Sequence, residues 1–264
     1  MAANLINWLY NIYLNRVLSL DDYSQVAAIL NCLLIISGFA VSIQYAATKF
    51  LPYVSRQSPP LIDDYHNSIL SISLYLGIGL SALAWITLPF WSAYLHLSTA
   101  VPVNLLLAAA LIFFILLSAV KGLCLGWRLY IYTGLLLLCE SMVKFAVAIV
   151  GFRSGQTLNI GLIAIPISMF ISLVFGLIIL ARRGVGFRLH INITWAQKIL
   201  RFAAFSFITT MGAQLLLFTD VIIVRHNFSP FQAGIYATIS LIGKMIFFYF
   251  IYAFIKICDA VNVE

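Results

Sequence analysis

Long apolar stretches, each close to the length that crosses a lipid bilayer, follow one another along this chain between short polar joints. The hydrocarbon core of a bilayer takes roughly 20 consecutive apolar residues of α-helix to cross. Eight stretches come near that length: Ala3 to Leu18, Ser24 to Ala46, His66 to Leu88, Val103 to Leu123, Leu129 to Val150, Leu158 to Leu180, Leu200 to Val221 and Gln232 to Ile255. Apolar and polar residues do not alternate within them, which disfavours barrel strands. The pattern predicts an all-α, polytopic membrane protein with eight transmembrane helices.

Composition and charge exclude several other classes of protein. Apolar residues make up 63% of the chain and charged residues 9%, against roughly 45–50% and 25% in an ordinary globular domain. The net charge of +7 would suggest a nucleic-acid partner in a soluble protein, but most basic residues here lie in the joints. The four cysteines are scattered, and no phosphate-binding loop or hydrolase motif occurs. We therefore expect a lipid bilayer as a partner, no nucleic acid, no metal, no cofactor and no enzymatic activity.

The distribution of basic residues indicates the orientation in the membrane. If the N-terminus is cytoplasmic, ten Lys and Arg residues, Lys121 among them, fall in the inside joints and three fall in the outside joints. Such an excess is typical of the cytoplasmic side. The other two, Lys144 and Lys244, lie within spans. The sequence therefore predicts a cytoplasmic N-terminus.

A weak internal repeat suggests how the helices are grouped. Residues 18–27 align with residues 228–237, which lie 210 positions later, and each copy joins a helix that ends in a basic residue to a further span. Because six helices separate the copies, both have the same orientation, as in the parallel repeats of many transporters. The repeat predicts a first six-helix bundle over residues 1–190 and the first two helices of a second bundle over residues 191–264.

Two segments carry a resemblance to a known family. They are Asn4-Leu5 with Tyr13-Leu14-Asn15-Arg16-Val17-Leu18-Ser19-Leu20-Asp21-Asp22-Tyr23, and Asp220 with Phe228-Ser229-Pro230-Phe231-Gln232-Ala233-Gly234-Ile235-Tyr236-Ala237. In these segments the chain resembles the O-antigen type of polysaccharide and oligosaccharide flippases, in the multidrug/oligosaccharidyl-lipid/polysaccharide superfamily. Ser24 stands where that family usually has Gly. Such flippases look like two six-helix bundles, so the resemblance implies a C-terminally truncated copy.

The resemblance also implies a function. It points to a carrier that moves polyprenyl-diphosphate-linked glycan repeat units from the cytoplasmic to the outer leaflet of the bacterial inner membrane, by rocking two bundles around a cavity. A diphosphate and a sugar chain cannot cross hydrocarbon unshielded. A cationic cavity would shelter them, and an inside-negative potential would favour outward movement of an anion. The implied partners are the lipid-linked glycan and the membrane proteins of glycan assembly.

Charged residues within spans are the candidates for a site, because each is costly in lipid unless it faces water or a partner. Glu140 and Lys144 lie four positions apart on one face of the fifth span, a spacing that favours an ion pair. Either they neutralise each other as a structural pair, or Lys144 binds the diphosphate and Glu140 takes up the coupling ion or proton.

The other candidates lie nearer the ends of spans. Lys244 has no acidic residue three or four positions away, so we expect it to bind substrate in a cavity. Asp220 is a candidate for ion coupling, or a partner of Arg225. Arg16 and Lys49 are further candidates for substrate binding. Their alternatives are snorkelling to the outer headgroups for Arg16 and Arg225, and anchoring on the inner side for Lys49.

One short motif bears on helix packing. Gly122 and Gly126 form a GxxxG at the end of the fourth span. Small residues at this spacing let two helices approach closely. We expect close packing or a turn here rather than a dimer contact.

Three other functions stay open. A drug or cation antiporter of the same superfamily would be favoured by an acidic, apolar cavity, whereas the excess of basic residues within spans favours an anionic substrate. A membrane glycan polymerase or ligase would need a sizeable outer loop with catalytic Arg or His, and the joint from Pro89 to Pro102 offers only His96. A non-transporting remnant is the third possibility.

Overall fold

The computed structural model describes residues 2–55, 59–97, 101–153, 158–186 and 188–261, and nearly all of them are α-helical. The eight helices are α1 (Ala2–Val17), α2 (Leu20–Val54), α3 (Pro59–Tyr94), α4 (Val101–Gly126), α5 (Tyr130–Arg153), α6 (Leu158–Ala181), α7 (Ile193–Asn227) and α8 (Pro230–Val261). The predicted all-α architecture with eight helices is confirmed. Among the described residues, α2 to α7 are each long and apolar enough to cross a membrane.

Several helices are longer than the hydrophobic pattern predicts. α2 and α7 have 35 residues each and α3 has 36, which corresponds to about 52–54 Å of helix. The predicted joint from Pro89 to Pro102 is wrong in its first part, because α3 continues to Tyr94. A proline removes one helical hydrogen bond, yet the aromatic residues beyond it keep the helical register, and the ring of Phe90 stacks on that of Tyr94 at 6.0 Å.

α4 packs closely against α2 at two glycines. A Cβ added to Gly122 would lie 2.6 Å from the carbonyl oxygen of Gln44 and 2.7 Å from the Cβ of Ala47. A Cβ added to Gly126 would lie 2.8 Å from the Cβ of Leu51. The GxxxG motif therefore lets α4 approach α2 within the chain.

The internal repeat appears as two hairpins of the same local design. Two residues separate α1 from α2, and two separate α7 from α8. In the first turn the amide of Asp22 donates to Oγ of Ser19 at 3.1 Å, and in the second the amide of Gln232 donates to Oγ of Ser229 at 3.4 Å. Serine thus caps the second helix of each hairpin. The division into bundles at residues 190 and 191 remains a prediction.

The second hairpin packs along α2. α7 runs antiparallel to α2, and the rings of Phe39 and Phe207 stack at 4.0 Å near its middle. At the start of α8, Gly234 lies against the carbonyl of Leu20, where no Cβ would fit. We call this end of the molecule, where α1 meets α2 and α7 meets α8, the α1–α2 end.

Candidate functional site

A buried ion pair joins α4 to α5 within the first six helices. Nζ of Lys121 lies 2.6 Å from Oε2 of Glu140, and the two side chains are 8% and 19% exposed. The predicted pair between Glu140 and Lys144 is therefore wrong. α4 packs beside this part of α5 and brings its own amino group to the carboxylate, and Lys144 is left for other contacts.

Lys144 lies over an aromatic ring of α1. Its Nζ is 4.9 Å from the ring centroid of Tyr10, a distance typical of a cation–π contact. Tyr10 is fully buried, and its hydroxyl donates to the carbonyl of Gly161 in α6 at 2.5 Å. Lys144 makes no hydrogen bond with any other described residue. The ring thus holds the amino group in place, and among the described residues no acceptor takes up its N–H donors.

A second side chain of α1 completes this site. Nδ2 of Asn7 donates to Oγ of Ser141 at 3.2 Å, while Oδ1 of Asn7 is buried and has no partner among the described residues. We call the whole group the first-bundle cluster, and its members are Asn7, Tyr10, Lys121, Glu140, Ser141 and Lys144. Two lysines and one glutamate give it a formal charge of +1, so it favours an anion.

A second polar group lies where α2, α7 and α8 meet. Nζ of Lys244 is 3.0 Å from Oδ1 of Asp220 and 3.2 Å from Oδ1 of Asn31. Oδ2 of Asp220 accepts hydrogen bonds from the hydroxyls of Ser240 at 2.9 Å and Tyr236 at 3.2 Å. We call these five residues the hairpin cluster. Its charged pair is formally neutral.

The hairpin cluster corrects one prediction. Asp220 does not pair with Arg225, because the turn between α7 and α8 places Lys244 beside the carboxylate instead. The acidic partner of Lys244 lies 24 positions earlier in the chain, so helical spacing along α8 could not reveal it.

The remaining sequence candidates lie outside both clusters. Arg16 is exposed at the end of α1. Lys49 is exposed on α2, and its Nζ lies 4.0 Å from the ring centroid of Phe202 in α7. The snorkelling alternative for Arg225 is wrong, because this side chain is only 3% exposed and its hydrogen bonds go to protein groups.

Sequence reasoning missed some residues of these sites. Lys121 is counted with the inside joints in the predicted topology, although it falls near the end of the predicted fourth span, and in the structure it lies within α4 and is 6% exposed. The apolar sequence that continues past it to Leu125 was the available signal. Asn7 and Asn31 carry no such signal, since their roles depend on which helices they face. Among the described residues, no group of His, Cys, Asp and Glu could hold a metal ion.

Comparison with known proteins identifies the fold. No family model and no curated protein matches the chain. Among solved structures, an inward-facing multidrug resistance MATE family transporter of the MOP superfamily is similar, with a TM-score of 0.76 and 13% identity over 89% of this chain and 56% of that one. A MOP superfamily transporter from Pyrococcus furiosus gives a TM-score of 0.65 and 13% identity, over 90% of this chain and 61% of that one. The MATE multidrug transporter DinF-BH gives a TM-score of 0.67 and 14% identity, over 91% of this chain and 57% of that one.

These likenesses define the class of fold. The chain has the fold of a multi-pass MOP superfamily transporter of the MATE type. It spans about three fifths of the length of the solved structures that it matches, between 56% and 63%. A fold of this type is what the resemblance of the two segments implies. The flippase type and the truncation stay predictions.

Proposed function

We propose that this chain carries an anionic, lipid-linked substrate across a membrane, and that the substrate is a polyprenyl-diphosphate-linked glycan repeat unit. The observation that carries the proposal is the first-bundle cluster with its formal charge of +1 and the amino group of Lys144, which has no hydrogen-bond acceptor among the described residues. The proposed setting is the bacterial inner membrane, with the N-terminus in the cytoplasm and the cytoplasmic leaflet as the source of substrate.

The chemistry of the first-bundle cluster suits a diphosphate. The amino group of Lys144 offers N–H donors, and a hydrogen bond between charged groups is roughly twice as strong as a neutral one. Oδ1 of Asn7 is a free acceptor for a sugar hydroxyl. The carboxylate of Glu140 is paired with Lys121 at 2.6 Å, which weakens its repulsion of an anion at Lys144.

The alternative is a drug antiporter of the same superfamily. Its support is the set of solved structures described as multidrug transporters, and the partly exposed carboxylate of Asp220 is the feature that favours it. Against it stands the charge of the first-bundle cluster. The Pyrococcus furiosus transporter is described as having a binding pocket of reverse polarity, which suggests a different function for that protein.

Vesicles that contain the protein and a fluorescent polyprenyl-diphosphate glycan test the proposal. A membrane-impermeant quencher added outside measures how fast labelled lipid moves between leaflets. We expect movement in protein vesicles and none in empty ones. Uptake of a cationic dye without any lipid movement would favour the antiporter, and neither activity would leave the chain as a non-transporting protein.

Replacing Lys144 with Gln should slow movement of the glycan lipid by about 10- to 100-fold, because a hydrogen bond to a charged group contributes about 1.5–3 kcal/mol. Arg153→Gln is the matched control, since Arg153 is exposed at the end of the same helix. The vesicle assay measures both rates. Equal rates in the Lys144 variant and in the parent would remove Lys144 from substrate binding.

We further propose that acidic residues couple transport to an ion. Asp220 is the stronger candidate, because its side chain is 32% exposed and that of Glu140 is 19% exposed. In Asp220→Asn, downhill movement of substrate should be unchanged, and a sodium or proton gradient should no longer accelerate it. The vesicle assay with and without each gradient measures this. Unchanged acceleration in Asp220→Asn would assign coupling elsewhere, and Glu140→Gln is the next variant.

A further inference from the structure

Arg225, near the end of α7, contacts two other helices at the α1–α2 end. Its Nε donates to the carbonyl of Leu95 and its Nη2 to that of His96, both at 3.0 Å, and its Nη1 donates to Oγ of Ser24 at 2.6 Å. The side chain is 3% exposed. A buried guanidinium with three protein acceptors is a specific contact and not a headgroup anchor.

The next residue of α7 extends the contact. Nδ1 of His226 lies 2.8 Å from the carbonyl oxygen of Tyr94, and the two rings stack at 3.9 Å with an interplanar angle of 8°. The ring of His96 lies parallel to that of His226 at 6.0 Å. Two consecutive residues of α7 thus bind three consecutive carbonyl groups at the end of α3.

The way in which α3 ends makes these carbonyls available. His96 adopts a left-handed backbone with φ of 49°, and the amide of Leu97 donates back to the carbonyl of Ser92 at 3.0 Å. Such a turn stops the helix. The last carbonyls of a helix lack partners within it and carry the negative end of its dipole. The cationic Arg225 therefore caps α3 from another helix.

We propose that the contacts of Arg225 and His226 with the end of α3 and with Ser24, which we call the clasp, hold α2, α3 and α7 together at the α1–α2 end. The surface where these three helices meet is called the seam. Transport requires the clasp to open. The hydrogen bonds of Arg225 go to a hydroxyl and two carbonyls. Breaking these contacts therefore separates no hydrogen-bonded ion pair. The second half of the proposal rests on the proposed transport function, whereas the first half does not.

The packing beneath the clasp provides a native reporter. A small apolar cluster consists of Ala28 in α2, Leu95 just after α3, and Ile222 in α7. Cys32 packs against this cluster. Cys32 is partly buried. Opening of the clasp should expose this thiol to water, so the rate at which Cys32 reacts with a charged, water-soluble maleimide measures how often the seam opens.

The test uses the protein in lipid nanodiscs with Cys124, Cys139 and Cys258 replaced by alanine, at one fixed pH. Arg225→Ala should raise the rate of Cys32 labelling by about 100-fold or more, because it removes three hydrogen bonds made by a charged group. Ser24→Ala removes one of them and should raise the rate by about tenfold. Arg153→Ala, which changes an exposed arginine at the end of α5, is the control and should label at the parent rate.

Labelling of a folded Arg225→Ala variant at the parent rate would overturn the clasp. If that variant does not fold, Ser24→Ala and His226→Ala decide by the same measurement: faster labelling supports the clasp and the parent rate overturns it. Because labelling needs no substrate, its result is separate from the vesicle assay. Faster labelling with no lipid movement in the parent would retain the clasp and reject the transport function.

Discussion

Replacing Glu140 with Gln should lower the free energy of unfolding by about 3–5 kcal/mol, because it leaves a buried lysine without its partner. The carboxylate lies 2.6 Å from Nζ of Lys121, whose side chain is only 8% exposed. Lys144 adds a second positive charge to the same cluster. Reversible unfolding in mixed micelles, followed by circular dichroism, measures the loss.

A double variant distinguishes the effect of removing the whole ion pair from the effect of leaving one charged partner alone. Lys121→Met combined with Glu140→Leu removes both charges and keeps similar volumes, and such replacements of buried pairs are often neutral or stabilising. We expect it to recover most of the stability lost in Glu140→Gln. A single Glu140→Gln variant as stable as the parent would mean that water or lipid headgroups already neutralise Lys121.

Replacing Gly122 with Leu should lower the free energy of unfolding by at least about 3 kcal/mol, at the upper end of the range for overpacking a core. Its Cβ would lie 2.6 Å from the carbonyl oxygen of Gln44 and 2.7 Å from the Cβ of Ala47. A backbone carbonyl cannot turn away as a side chain can, so α4 must move away from α2. The same unfolding measurement applies.

Gly134→Leu is the matched control for this prediction. Gly134 lies within α5, and a Cβ there would have no heavy atom within 4 Å. Both changes remove the helix-weakening effect of glycine, which is about 1 kcal/mol per residue. The difference between the two variants therefore measures packing alone. Equal effects on stability would show that α2 and α4 can separate at little cost.

The helices and their approximate bounds could be predicted because lipid imposes a simple local requirement. Every crossing must satisfy its own backbone and present enough apolar residues to span the hydrocarbon. The bounds were less predictable where helices extend past the apolar stretch, as α3 does from Pro89 to Tyr94. Proline removes one hydrogen bond from the turn that precedes it, and α3 continues beyond Pro89.

The sequence predicted which charged residues lie within spans, but not which residues they contact. Lys144 and Lys244 stand out in the sequence because a lysine in the middle of an apolar span is rare and costly. Their surroundings do not stand out, since Lys121 lies 19 positions from Glu140 and Asp220 lies 24 positions from Lys244. Pairs at such separations form between helices, and helical periodicity predicts only contacts within one helix.

The chain's membrane class, its helices and the presence of unusual charges within spans follow from residue type and order, because they depend on local free energies of transfer from water to lipid. The choice of partners depended on how the helices pack. Tertiary structure alone decided that Glu140 binds Lys121, that Lys244 binds Asp220, and that Arg225 caps α3. Each depends on which helices lie side by side, and small residues such as Gly122 and Gly234 permit that approach across long stretches of sequence.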